Sequence, residues 1–220
     1  MNVLISTVPR SGSTLLFNIC RLLFEQVYGI NETYATWCQF HKESNEKKYN
    51  VIKIHERNTR YTNWSHKIIT SVRDIRYIVA SYADFNKKFN INDPHNMRSV
   101  CKSFIKMMEN NCSVADYVFR YEEFSTNSSK VVYDIAKCLE LPLNDIDTNQ
   151  ILKEIEKIKK TKYNKLDREK TQMHPNHISP KSDAHITERM TIEQLNFIES
   201  NFSWFFEKYG YATTSLIKML

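Results

Sequence analysis

Glycine is scarce in this chain, three residues in 220, and proline is little commoner at five. With no internal repeat and no low-complexity block, that scarcity excludes a string of modules on flexible linkers. Long apolar runs are missing as well. Nothing approaches the roughly 18 residues of a membrane-spanning helix, so no transmembrane segment is predicted. The chain opens Met1-Asn2 and reaches a strand-like run at Val3 without a basic segment and long apolar stretch. No secretory leader is therefore expected, and a cytoplasmic location is. The five cysteines, Cys20, Cys38, Cys101, Cys112 and Cys138, are odd in number and scattered. Reduced thiols suit that pattern better than a disulfide framework does.

What is present is globular in character. The chain is 41% hydrophobic and 25% charged, and its length suits one sizeable domain. A net charge of +6 favours an anionic ligand. Much of the excess lies between Lys153 and Lys170, where eight Lys/Arg face four Asp/Glu. That stretch reads as a solvated helix face. No zinc-finger spacing or RNA-binding motif accompanies it, so nucleic acid is not the expected partner.

Short β-branched or apolar runs at Val3–Thr7, Asn50–Ile54, Lys67–Val72 and Asp116–Tyr121 predict strands buried on both faces. Helical stripes lie between and after them. One comprises Leu15, Leu16, Ile19, Leu22 and Leu23, a second Ile75, Ile78, Val79, Tyr82 and Ala83, and a third Val131, Val132, Ile135, Ala136 and Leu139. A last helix is predicted from the Thr191-Ile192-Glu193-Gln194 capping pattern to Gly210. Strands alternating with helices imply an α/β fold, a single domain with a central parallel sheet flanked by helices. Ligands of such sheets bind beyond the carboxyl ends of the strands.

The first such end continues into Val8-Pro9-Arg10-Ser11-Gly12-Ser13-Thr14 and then a helix. A strand, a hydroxyl-rich turn and a helix N-terminus make an anion cradle of backbone N–H groups reinforced by the helix dipole. Gly12 permits close backbone approach. Ser11, Ser13 and Thr14 offer hydroxyl donors, and Arg10 a permanent cation. Aligned with the nucleoside-triphosphate motif G-x-x-x-x-G-K-[ST], the chain has Thr7 at the first glycine and Ser13 at the lysine, so the group that reaches the β and γ phosphates is missing. At the third strand end Arg73 is followed by Asp74, placed to cap the next helix, and Ser81 falls outside that helix's apolar stripe.

The run Pro9–Thr14, followed by Val72-Arg73-Asp74-Ile75-Arg76 and Ser81-Tyr82, resembles the two cofactor signatures of sulfotransferases that use 3′-phosphoadenosine 5′-phosphosulfate. Tyr121-Glu122-Glu123-Phe124 resembles a third segment of that family, so the likeness extends from residue 3 to about 140. It implies a fold like that of the P-loop-containing nucleotide hydrolases, with a cofactor-binding core in 1–140 and a helical part bearing a lid or acceptor loop in 141–220. It assigns Arg10, Ser11, Gly12, Ser13 and Thr14 to the 5′-phosphosulfate and Arg73 and Ser81 to the 3′-phosphate, without metal, and leaves adenosine 3′,5′-bisphosphate as product. Lys53-Ile54-His55 is similar to the family's Lys-Thr-His segment. That likeness makes His55 the general base and Lys53 the stabiliser of the leaving group, and alternation puts both on one side of a strand. Glu56 is the rival base. The aromatic found in many members is replaced by Leu15, and no dimerisation motif is evident.

Other readings stay open. A small-metabolite kinase would use the same cradle, and a non-enzymatic anion- or RNA-binding module would use the Lys153–Lys170 stretch. In the C-terminal third, His177, Ser179 and Lys181 are candidates for a loop over the 3′-phosphate. A zinc site from His174, His177 and His185 lacks a fourth ligand. The acceptor, a small molecule or glycan, would be met by irregular segments in Asn31–Tyr49, Pro94–Met108 and Lys160–Lys181. Tyr34, Trp37 and Phe40 in the first of these are read as core.

Overall fold

The computed structural model describes residues 1–161, 168–173 and 186–213. His174, His177, Ser179, Lys181 and His185 lie outside the described residues, as does much of the Lys160–Lys181 segment. Two compact units are distinguished, Met1–Val72 with Met107–Pro175, and Arg73–Lys106 with Asn176–Leu220.

The first unit holds a five-stranded sheet of order β2-β3-β1-β4-β5, formed by β1 (Asn2–Ser6), β2 (Thr33–Trp37), β3 (Tyr49–Ile54), β4 (Lys67–Val72) and β5 (Tyr117–Arg120). Every pairing is parallel. Side chains alternate between two faces. Val3, Ile5 and Val51 join Leu16, Ile19, Leu23, Val132 and Ile135 in the larger core, beneath α1 (Ser13–Tyr28), α5 (Tyr121–Cys138) and α6 (Thr148–Lys160). Leu4, Ile52, Ile54 and Ile68 gather on the opposite face with Tyr61 and Trp64 of α2 (Thr59–Trp64). Burying β1 and β3 on both faces explains their continuous apolar runs.

Two of the supposedly irregular segments contain regular structure. Asn31–Tyr49 contains β2, an edge strand whose half-buried positions leave no apolar run to read. Pro94–Met108 lies within α4 (Pro94–Cys112). Phe40, expected in the core, is 57% exposed. β5, expected to be buried on both faces, is the other edge, and its Val118 is 40% exposed.

In the second unit, Asp74 caps α3 (Ile75–Phe85) by accepting from the Arg76 N–H. Arg76 is itself buried, paired with Asp74 and Glu199 and donating to the Ala212 carbonyl. Thr191 and Gln194 form the expected capping box, but the last helix is broken at Phe202 into α8 (Ile192–Asn201) and α9 (Ser203–Tyr209). The break lets Phe205 and Phe206 bury while Gly210 ends α9 in the left-handed conformation. A short α7 (Arg168–Thr171), which belongs to the first unit, completes the helices described.

Candidate active site

The cradle is built where β1 gives way to α1. Arg10 has φ 67° and Gly12 φ 94°, two left-handed residues that fold the backbone tightly enough for Gly12 to sit at the N-cap of α1. The N–H groups of the first helical turn have no intrahelical acceptor, which is the electrostatic basis of anion binding there. Ser11 turns inward. It is fully buried, its hydroxyl donates to the Val8 carbonyl at 2.6 Å and lies 2.7 Å from Ser71 Oγ, so it braces the loop from within. Ser13 and Thr14 remain the hydroxyls of the helix start. Thr7 Oγ1, at the first loop residue, is buried with no hydrogen-bond partner among the described residues.

Gly12 also answers to a neighbour. A Cβ there would lie 2.5 Å from Tyr121 Cδ2 and 3.4 Å from Phe119 Cε1. The tyrosine of the Tyr121-Glu122-Glu123-Phe124 segment therefore packs directly on the cradle.

β3 brings the second set of groups. Lys53 shares the side of Val51, toward α1, and its Nζ donates to Thr14 Oγ1 at 3.1 Å. The ammonium lies 5.2 Å from the centroid of Trp37 and 5.8 Å from that of Phe17. Burial pushes its pKa down from 10.5 to about 7. His55 follows at the strand end. Its Nδ1–H donates to the Thr7 carbonyl at 3.0 Å, so Nε2 carries the lone pair. Trp37 meets the imidazole edge-on with centroids 4.7 Å apart. Burial first, then the charges of Lys53 and Arg10, depress the His55 pKa to about 4 against the opposing pull of the Thr7 carbonyl. The structure thus brings together Gly12, Thr14, Lys53 and His55, and adds Trp37 as a shared wall. Glu56, the rival base, is exposed. Arg73 and Ser81 belong to the second unit, and both are buried. Ser81 is 3% exposed although it stands outside the apolar stripe, so the helical wheel alone misjudged its surroundings. Arg73 lies with its guanidinium 5.9 Å from the Tyr77 ring centroid.

The depressed Lys53 pKa has a thermodynamic consequence. Between about pH 7 and 10.5 the unfolded chain holds a proton on this lysine that the ligand-free fold does not, so stability rises with pH across that window. Urea unfolding of the wild type should gain up to about 1.4 kcal/mol per pH unit there relative to Lys53→Met. Parallel pH profiles for the two proteins would show that the lysine is charged in place.

Sequence reasoning missed three features: the strand that carries Trp37, the contact of Tyr121 with Gly12, and Asn111. The β-branched and aromatic content of Thr33, Tyr34, Thr36 and Trp37 was the one signal for the first, in composition and not in pattern. The others need the tertiary structure. Among the described residues, no three His, Cys, Asp or Glu side chains are grouped to hold a metal ion, and no helix is long and apolar enough to cross a membrane.

No family model matches the chain, and no curated protein does. Solved structures do. The mouse sulfotransferase SULT7A1 complexed with PAP superposes with a TM-score of 0.61 at 13% identity, over 97% of this chain and 86% of that one. Retinol dehydratase with androsterone and the inactive cofactor PAP gives 0.52 at 12%, over 72% of this chain and 66% of that one. Retinol dehydratase with retinol and PAP gives 0.51 at 14%, over 74% and 67%. At such identities the shared property is architecture: the chain has the sulfotransferase fold, a parallel α/β sheet with its loop–helix cradle at the tip of the first strand.

Proposed function

We propose that the chain is a sulfotransferase that moves a sulfuryl group from 3′-phosphoadenosine 5′-phosphosulfate to a hydroxyl or amine of a small-molecule or glycan acceptor in the cytoplasm. One observation carries the reading. At the tips of β1 and β3, buried Lys53 is hydrogen-bonded to the Thr14 hydroxyl of the cradle, and beside it His55 keeps Nε2 free to take a proton. The residues suit an anionic donor: a helix N-terminus, a glycine whose Cβ position is contested, and an orphaned Thr7 hydroxyl. A neighbouring fold of known structure holds PAP.

The donor supplies a sulfuryl group joined to its 5′-phosphate through a bridging oxygen. In this reading Arg10, Gly12, Ser13 and Thr14 hold the 5′ end, and Ser11 holds the loop. Lys53 faces the charge that grows on the departing phosphate oxygen, in a buried place where a cation acts strongly. His55 Nε2 accepts the proton of the attacking hydroxyl or amine, and Trp37 shields the pair from water. Arg73 and Ser81 take the 3′-phosphate by the sulfotransferase resemblance. The chain as a whole, 1–220, acts as one catalytic domain with its cofactor core in 1–140, and no metal takes part.

The test is thermal. Adenosine 3′,5′-bisphosphate at ~100 times its dissociation constant should stabilise the fold by about 2.7 kcal/mol, a rise in Tm of roughly 5–10 °C. Adenosine 5′-phosphate and ATP, which lack the 3′-phosphate, should raise it less, and Arg73→Ala should narrow that gap. A larger shift with magnesium ATP would favour a kinase instead. Indifference to the 3′-phosphate would defeat the assignment. Labelled donor offered with sugars, phenols, steroids and amines then identifies the acceptor.

A further inference from the structure

Asn111, on the last turn of α4, is fully buried, yet no part of the proposed chemistry uses it. Its Oδ1 accepts from Ser6 Oγ at 2.9 Å, and its Nδ2 donates to the His55 carbonyl at 3.3 Å. These partners fix the amide's orientation, because a carbonyl accepts only and Ser6 is the hydroxyl donor. They also lie at a critical place. The β1–β3 register ends at Ser6 opposite Ile54, and the Thr7 N–H still reaches the Ile54 carbonyl at 3.2 Å. Beyond that point the strands part, and the His55 carbonyl finds its donor on the Asn111 side chain.

We infer that Asn111 is a positioning residue that sets the tautomer and aim of the His55 ring. The kinetic part of this inference rests on the sulfotransferase reading; the structural part does not. His55 is held twice, through its backbone by Asn111 and through its ring by the Thr7 carbonyl, and Thr7 immediately follows the Ser6 that Asn111 also grips. One side chain therefore fixes both the residue that carries the base and the segment that supplies its tautomer-setting acceptor. Without it, two buried polar groups lose their partner, the His55 backbone turns, and the Nδ1–H to Thr7 distance is no longer specified. A free imidazole prefers the opposite tautomer, with the proton on Nε2, which cannot act as a base from that nitrogen.

The ring nitrogens report this directly. In the wild type, ¹⁵N shifts should show His55 with its proton on Nδ1, the signal being assigned by its loss in His55→Gln. Asn111→Leu keeps the volume and removes the hydrogen bonds, and it should give a mixture of tautomers. Turnover should then fall about 10–100-fold, with the donor KM and the bisphosphate melting shift unchanged. Ser6→Ala, a milder change that frees the amide to rotate, should show a smaller admixture and lose about 3–10-fold. It serves if Asn111→Leu does not fold. Retention of the pure Nδ1–H form in the folded variants would overturn the inference, as would full rescue by leucine, which would make Asn111 a space-filler. If the tautomer shifts as expected but the bisphosphate does not bind the wild type, the positioning role stands and the sulfotransferase reading falls.

Discussion

His55→Ala is expected to lower sulfuryl transfer about 10²–10⁴-fold while leaving the melting shift produced by adenosine 3′,5′-bisphosphate nearly intact. The separation follows from where the ring sits. It touches the Thr7 carbonyl and the Trp37 edge, whereas the cradle is shaped by Arg10, Gly12 and the Ser11 brace. The pH profile adds a second mark. An unperturbed histidine base would lose activity below pH 6.5, but burial and two cations hold the pKa of this one near 4 in the free enzyme. Activity as kcat/KM should therefore rise with pH through about 4, be level near pH 6, and fall again above about 7 as Lys53 gives up its proton, since that ratio reports the free enzyme. Glu56→Ala should change little, because its side chain is exposed. Loss of turnover in Glu56→Ala with activity kept in His55→Ala would make the glutamate the base.

How much of this could be read from the chain depends on which contacts are local. β1, β3, β4 and β5 are within a residue of where their apolar runs end, because strands buried on one or both faces carry their own pattern. β2 carries none: four of its five residues are only half-buried, and its value to the site is Trp37, whose partners Lys53 and His55 come from the adjacent strand. The Lys53/His55 alternation was legible because a strand's period alone sets it. The direction of the Ser11 hydroxyl was not, because its partner Ser71 is sixty residues away. Ser81 shows the limit of a helical wheel, which ranks faces by the helix's own residues and knows nothing of what covers the polar side. Asn111 looks like any polar residue on a long helix until its two partners are seen.

Gly12→Ala tests the cradle itself, and its effect should be large for two independent reasons. At φ 94° an L side chain pays a backbone penalty of about 1–2 kcal/mol. Its Cβ also falls 2.5 Å from Tyr121 Cδ2 and 3.0 Å from Cε2, an overlap whose relief by moving an aromatic ring costs about 1–3 kcal/mol more. Together these predict a loss of about 2–5 kcal/mol and a Tm lower by roughly 4–20 °C, with bisphosphate binding lost from the molecules that remain folded. The two causes can be parted. Tyr121→Ala should cost stability on its own, yet in the Gly12→Ala background it removes the obstacle, so the double variant should be more stable than the sum of the single changes by about 1–3 kcal/mol. The backbone penalty would persist in the double variant, and with it a weakened bisphosphate shift, because the loop that presents its N–H groups still favours a different turn. Strict additivity of the two substitutions would mean that the ring does not limit the approach at Gly12, and the loop would then owe its shape to the left-handed backbone alone.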